Sequence, residues 1–207
     1  MTRWMSVAAM TLPLFCFSVP TFAQEGWIRL FDGKTLDGWK ASENPDSFHV
    51  KDGTIVVNGP RGHLFYDGPV QDRDFKNFHF KAEVLTKPNA NSGIYFHTEF
   101  QESGWPSVGY EVQVNVTHRD PKKSGGLYGV RDVADPPAKD NEWYTQEIIV
   151  EGKRIVSKIN GKVLVDYTEP DGLEGGRKLS SGTFAIQAHD PGSVVYIKDI
   201  QVKPLGD

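Results

Sequence analysis

Asn91-Ser-Gly-Ile-Tyr-Phe-His97 and, shortly after it, Tyr110-Glu-Val-Gln-Val-Asn-Val116 decide how this chain folds. Successive strand side chains point to opposite faces, so polarity with a period of two marks a strand with one face buried. In the second run Tyr110, Val112, Val114 and Val116 form one face, and Glu111, Gln113 and Asn115 form the other. In the first, Ile94 and Phe96 oppose Tyr95 and His97. The polar side of this pair offers a carboxylate, two amides, a phenol and an imidazole. That inventory suits gripping hydroxyls and moving a proton, and it also suits a plain polar sheet face.

The same period spreads outward in both directions. Phe78, Phe80, Ala82 and Val84 alternate with His79, Lys81 and Glu83. Phe48 to Val57 reads as two short strands around Asp52-Gly53, followed by a polar loop from Asp67 to Asp74. Trp27, Leu30, Phe31, Leu36 and Trp39, near two Asp-Gly turns, are core candidates. Downstream, Trp143 to Val150, Lys153 to Ile159 and Lys162 to Tyr167 are strands, the last two joined by the hairpin dipeptide Asn160-Gly161. Thr183 to His189 and Val194 to Val202 close the series. Thr117 to Asn141 is a long irregular stretch, and loops of that length tend to be functional. Helical periodicity is absent. About twelve short strands punctuated by turns predict an all-β sandwich or jelly roll.

The 207 residues fit one domain behind a leader. Residues 1–23 read as a secretory signal, with Arg3, an apolar run from Val7 to Val19, and small residues at Thr21-Phe-Ala23. The run is too short and too early for a membrane span, so no transmembrane segment is expected. Residues 24–207 then form a single exported domain, periplasmic or secreted. Cys16, the one cysteine, would leave with the signal, so the exported domain would rest on its core without disulfides. Losing Arg3 takes the net charge from −4 to −5. With no basic patch interleaved with aromatics, nucleic acid is excluded as a partner.

A family resemblance enters through residues in a fixed order. Leu30-Phe-Asp-Gly-Lys-Thr-Leu-Asp-Gly-Trp39, Asn91-Ser-Gly-Ile-Tyr-Phe96, Tyr110-Glu-Val-Gln113, Gly125-Gly-Leu-Tyr128, Trp143, Ile159-Asn-Gly161 and Ile186-Gln-Ala-His189 together resemble the 3-keto-disaccharide hydrolase domain. The resemblance implies a concanavalin A-like jelly roll of two curved antiparallel sheets with a sugar site on the concave face. It also implies an oligosaccharide or glycoside substrate whose glucose ring carries a ketone at carbon 3. Two departures stand out. Val114-Asn115 stands where the family commonly places an aspartate nearby, and Lys198 replaces an arginine often found in the last strand. Lysine lacks the forked donor geometry of arginine. The Glu-x-Asp-x-x-Glu strand of laminarinase-type enzymes is missing, which argues against ordinary double-carboxylate hydrolysis.

A carbon-3 ketone acidifies the carbon-2 proton, so one base, donors around the ketone oxygen and an acid for the leaving group suffice. Glu111 is the candidate base and His189 the candidate acid, with Glu83 or His97 as alternative bases. Gln113, Asn115, His97, Tyr95, Glu83 and Lys198 are candidate substrate binders, and Tyr128 and Trp105 candidate stacking platforms. The alternative is a lectin-like binding module that uses the same aromatics and amides without turnover. No cofactor is predicted. The histidines lack metal-ligand spacing, and although the fold would accept a calcium in its loops, no Asp-rich ligand loop is visible.

Overall fold

Strand pairing in the computed structural model, which describes residues 26–206, sorts the chain into two antiparallel sheets. The strands are β1 (Ile28–Arg29), β2 (Trp39–Ala41), β3 (Phe48–Lys51), β4 (Thr54–Val57), β5 (Gly62–Tyr66), β6 (Phe78–Thr86) and β7 (Ser92–Thr98). They continue as β8 (Tyr110–Val114), β9 (Tyr144–Glu151), β10 (Arg154–Ile159), β11 (Lys162–Thr168), β12 (Thr183–Ala188) and β13 (Val195–Pro204). One sheet has eight strands in the order β11-β10-β9-β6-β13-β4-β3, with β1 also paired to β13. The other has five, in the order β2-β5-β12-β7-β8. This is the all-β jelly roll that the alternation predicted, in the concanavalin A-like form of two curved sheets that the family resemblance implied. The leader assigned to residues 1–23, including Cys16, lies outside the described residues.

Local chemistry accounts for most of these boundaries. The β3–β4 hairpin turns at Asp52 (φ 50°) and Gly53 (φ 77°), and β10–β11 turns at Asn160 (φ 50°) and Gly161 (φ 76°). Two successive positive φ values give a turn whose twist matches the strands, which is why Asn-Gly and Asp-Gly stand there. Three strands escaped the sequence reading: the short β1 and β2, and β5. β5 is buried along its whole length, and a run such as Gly-His-Leu-Phe-Tyr shows no clean polar side.

The core lies between the two sheets. Phe184 of β12 faces Phe78 and Phe80 of β6, with ring centroids 4.9 and 4.8 Å apart. Such tilted and edge-on pairs add stability beyond the area they bury. β6 and β9 alternate buried and half-buried residues, as expected of a sheet with one wet face. β5, β7 and β12 are buried on both faces. The second face of the five-stranded sheet is roofed by loops, and that roof makes the site.

Candidate active site

Register brings three polar side chains together on the roofed face. Tyr95 of β7 pairs with Glu111 of β8, and Ala185 of β12 pairs with Tyr95. Gln187, two residues beyond Ala185, therefore projects on the same side. Its Nε2 donates to Tyr95 Oη at 3.0 Å and to Glu111 Oε1 at 3.2 Å. Tyr95 in turn donates its hydroxyl hydrogen to Glu111. Burial pushes the Tyr95 phenol far up, so it stays protonated and remains a donor. Burial also dominates at Glu111 and pushes its carboxyl up to about 7, against the opposing pull of Tyr95, the Arg177 charge and Gln187. The Gln113 amide, turned with its nitrogen toward the carboxylate, donates to Glu111 Oε1 at 3.1 Å.

Gly93 makes room for this carboxylate. It is extended and lies beneath Glu111, and a Cβ there would stand 2.8 Å from Glu111 Cγ and overlap the carboxyl oxygen. The glycine of Asn91-Ser-Gly93 is therefore required for space. Its φ is not in the left-handed region, so backbone conformation does not demand the glycine.

Three loops and the end of β12 close the cavity, which has a volume of about 330 Å³. The β7–β8 loop contributes Trp105 and Pro106, the β8–β9 loop Asp120 and Tyr128, and the β11–β12 loop Arg177. Tyr128 is fixed because its N–H donates to Glu111 O at 2.9 Å, along the free edge of β8. Arg177 Nη1 donates to Tyr128 O at 3.0 Å. Its loop is fastened by Glu169, which accepts from Tyr110 Oη at 2.6 Å and from Leu179 N at 2.7 Å.

His189 enters from the end of β12. Its Nδ1 lies 2.7 Å from Asp190 Oδ2, which also accepts from Ser193 Oγ at 2.9 Å. Burial acts to raise the Asp190 carboxyl, but the hydrogen bonds from His189, Ser193 and Gly192 outweigh it and hold the group below its ordinary value. An anionic Asp190 fixes the proton on Nδ1 and leaves Nε2 as the nitrogen available for exchange. Asn91 ties this corner down, donating its N–H to Ser193 Oγ at 2.9 Å. The His118 ring stands 5.7 Å from that of His189.

The cavity thus gathers Glu111, His189, Gln113, Tyr95, Tyr128 and Trp105 from among the sequence candidates. Four others stand elsewhere. Glu83 and Lys198 pair across β6 and β13 on the outer face of the eight-stranded sheet. There Glu83 accepts from Thr145 Oγ1 at 2.5 Å, and Lys198 Nζ lies 4.3 Å from the Trp143 ring centre. Asn115 falls just past the end of β8, where its amide donates to Asp120 O and Lys122 O at 3.0 and 2.8 Å. His97 has φ 53°, which breaks the strand alternation and packs the ring on Phe78 and Phe96. Its Nε2 donates to Lys76 O, and its Nδ1 accepts from Ser180 N, so both ring nitrogens serve the backbone.

Arg177, Asp120 and Gln187 were not singled out from the sequence. Gln187 carried a usable signal, since it shares a strand face with His189. Arg177 and Asp120 lie in irregular loops where no periodicity points at a partner. A larger hollow of about 690 Å³ opens beyond Thr98 on the same face. Its acidic residues Asp67, Asp72, Asp74 and Glu99 are exposed, and both ring nitrogens of its buried His97 are taken by the backbone, so the smaller cavity is the better candidate for proton chemistry. Among the described residues no group of three or more His, Cys, Asp or Glu side chains is arranged to hold a metal ion. No helix among them is long and apolar enough to cross a membrane.

By architecture this is a jelly roll with a polar pocket under its loops. A family model described as the 3-keto-alpha-glucoside-1,2-lyase-like domain matches residues 26–203, and the chain belongs to that family. A curated relative from Bacteroides thetaiotaomicron, named 3-keto-disaccharide hydrolase, is 28% identical over 170 residues. That match covers 69% of this chain, and the chain spans 59% of the relative's length. Among solved structures, a Parabacteroides distasonis ATCC 8503 protein provisionally described as a glycosyl hydrolase superposes with a TM-score of 0.71 at 24% identity, covering 88% of this chain and 95% of that one. The carbohydrate-binding module CBM66 from Bacillus subtilis superposes at 0.57 with 11% identity, covering 80% and 95%. At these identities both structures speak to the fold alone.

Proposed function

We propose that this chain is an exported enzyme that cleaves glycosides whose glucose ring is oxidised to a ketone at carbon 3. The observation that carries the proposal is the half-buried Glu111 carboxyl, pushed up to about 7 and surrounded by donors on a cavity floor. A base poised near the working pH transfers protons most effectively, and a positioned one contributes roughly 10²–10⁴-fold. Glu111 takes the carbon-2 proton, and the electron pair left behind delocalises onto the ketone oxygen. Arg177 supplies the positive charge that steadies the oxyanion in a site shielded from water, while Tyr95 and Gln187 hold Glu111 in place through their hydrogen bonds. Collapse of the enolate breaks the bond from carbon 1 to the glycosidic oxygen, which takes a proton from the His189 imidazolium balanced by Asp190. Water added across the resulting double bond completes a net hydrolysis.

The family and the curated relative support a 3-keto-glycoside substrate. Turnover of paired oxidised and unoxidised disaccharides in heavy water tests the proposal. The oxidised sugar is expected to react and to gain deuterium at carbon 2, while the unoxidised sugar stays intact. Equal rates on both, without deuterium at carbon 2, would overturn it. The lectin-like alternative rests on Trp105, which is 45% exposed at the cavity mouth and offers a ring face to a sugar. It would take over if Glu111→Gln bound the sugar as wild type does and wild type turned nothing over.

A further inference from the structure

His63 of β5 has no role in the chemistry above, yet it is 0% exposed and neither ring nitrogen has a hydrogen-bond partner. Buried polar atoms are almost always paired, because leaving one unpaired costs free energy comparable to its desolvation. Its position is equally specific. His63 pairs across strands with Gln187, whose amide holds Tyr95 and Glu111. Its ring stands 5.3 Å from the Tyr95 ring, so it extends the polar row of the cavity by one more strand. Across β8, β7, β12 and β5 that row spans roughly 14 Å at ~4.8 Å per strand spacing. A two-ring sugar laid across the strands, with its oxidised ring at Glu111, would put its second ring over β5.

Trp105, which lines the cavity mouth, packs over His63. Its indole meets His63 edge-on and His189 at a tilt, with both centroid distances 5.6 Å, and the Arg61 guanidinium lies 5.4 Å from its ring centre. The backbone of its loop is anchored separately, by Gly104 N to Glu43 Oε1 and Glu43 N to Glu102 O, both 2.9 Å. Glu43 is itself clamped by Arg61 at 2.8 and 3.1 Å. The side chain can therefore swing outward without unfastening the loop, giving up ring contacts while presenting its face to a sugar.

We propose that His63 is the polar floor of a second sugar subsite, covered by Trp105, that receives the leaving-group ring of a disaccharide. An imidazole that burial holds neutral, with its pKa down at about 4, keeps one donor and one acceptor. That pairing matches a sugar hydroxyl, which both donates and accepts. The proposal builds on the 3-keto-glycoside reading of the cavity.

The test uses Glu111→Gln to prevent turnover and adds His63→Leu to it. Calorimetric affinities are measured for a 3-keto-disaccharide and for methyl 3-keto-glucoside, which lacks the second ring, and both variants are melted thermally. His63→Leu is expected to weaken disaccharide binding roughly 10-fold, one hydrogen bond's worth, and to leave the methyl glucoside unchanged. It is also expected to raise the melting temperature by a few degrees, because an unpaired polar group leaves the interior. A lower melting temperature, a failure to fold, or equal effects on both ligands would make His63 a structural residue and overturn the proposal. If wild type bound the disaccharide with this pattern but turned nothing over, the reaction would be refuted and the subsite would stand. If neither ligand bound, both would fall.

Discussion

Replacing Glu111 by glutamine separates a functional carboxylate from a structural one, because the two make opposite predictions for stability. Burial places the folded-state pKa at about 7, against an ordinary value of 4.5. At ~1.36 kcal/mol per pH unit, ionising this group in the folded protein costs about 3 kcal/mol more than in the unfolded chain. The sign follows from proton binding. Between 4.5 and about 7 the folded state holds a proton that the unfolded state has lost, so stability falls as pH rises through that window. Below it the penalty is absent, and above it the penalty is complete. Glutamine resembles the protonated acid and still accepts from Tyr95 and Gln187, so Glu111→Gln should match wild type near pH 4.5. It should exceed wild type by about 1–3 kcal/mol at pH 8.5, the lower figure allowing for half-burial and for rearranged hydrogen bonds. Urea unfolding of both proteins at the two pH values measures the gap, and turnover by the variant should be lost. A variant less stable than wild type at pH 8.5, or a gap that ignores pH, would refute the reasoning.

Two further outcomes are expected. Gly93→Ala would push a methyl group into the Glu111 carboxylate, so kcat should drop by roughly 100-fold or more, as misplacement of about 1 Å can cause. The melting temperature should fall only slightly, and near-normal kcat would show that Glu111 is not held where the glycine leaves room. Tyr95→Phe removes the strongest hydrogen bond lowering the Glu111 pKa. Activity that fails below about pH 7 in wild type should then fail one to two pH units higher, since a hydrogen bond to a charge is worth about 1.5–3 kcal/mol. An acid limb that stays in place would separate Tyr95 from the base.

The sequence by itself determined most of the strands, their inward faces and the tight turns, because each is local. Alternation at Tyr110–Val114 and Phe78–Thr86 follows from strand geometry, and the Asn160-Gly161 turn from what those two residues can adopt. The order of motifs was enough to identify the family. Tertiary structure decided which polar faces meet. Glu111 and Glu83 have the same pattern around them, yet one lies under the loop roof and the other on the outer face of the opposite sheet. Alternation says only which way a side chain points from its own strand, and strand order says what lies there. The loops carry the rest. Arg177 reaches the cavity because Glu169 pins its loop to Tyr110, and Asn115 misses it because β8 stops one residue earlier. A raised carboxylate pKa is likewise a property of the roof. It depends on water excluded by segments far apart in the chain, and no window of sequence contains that exclusion.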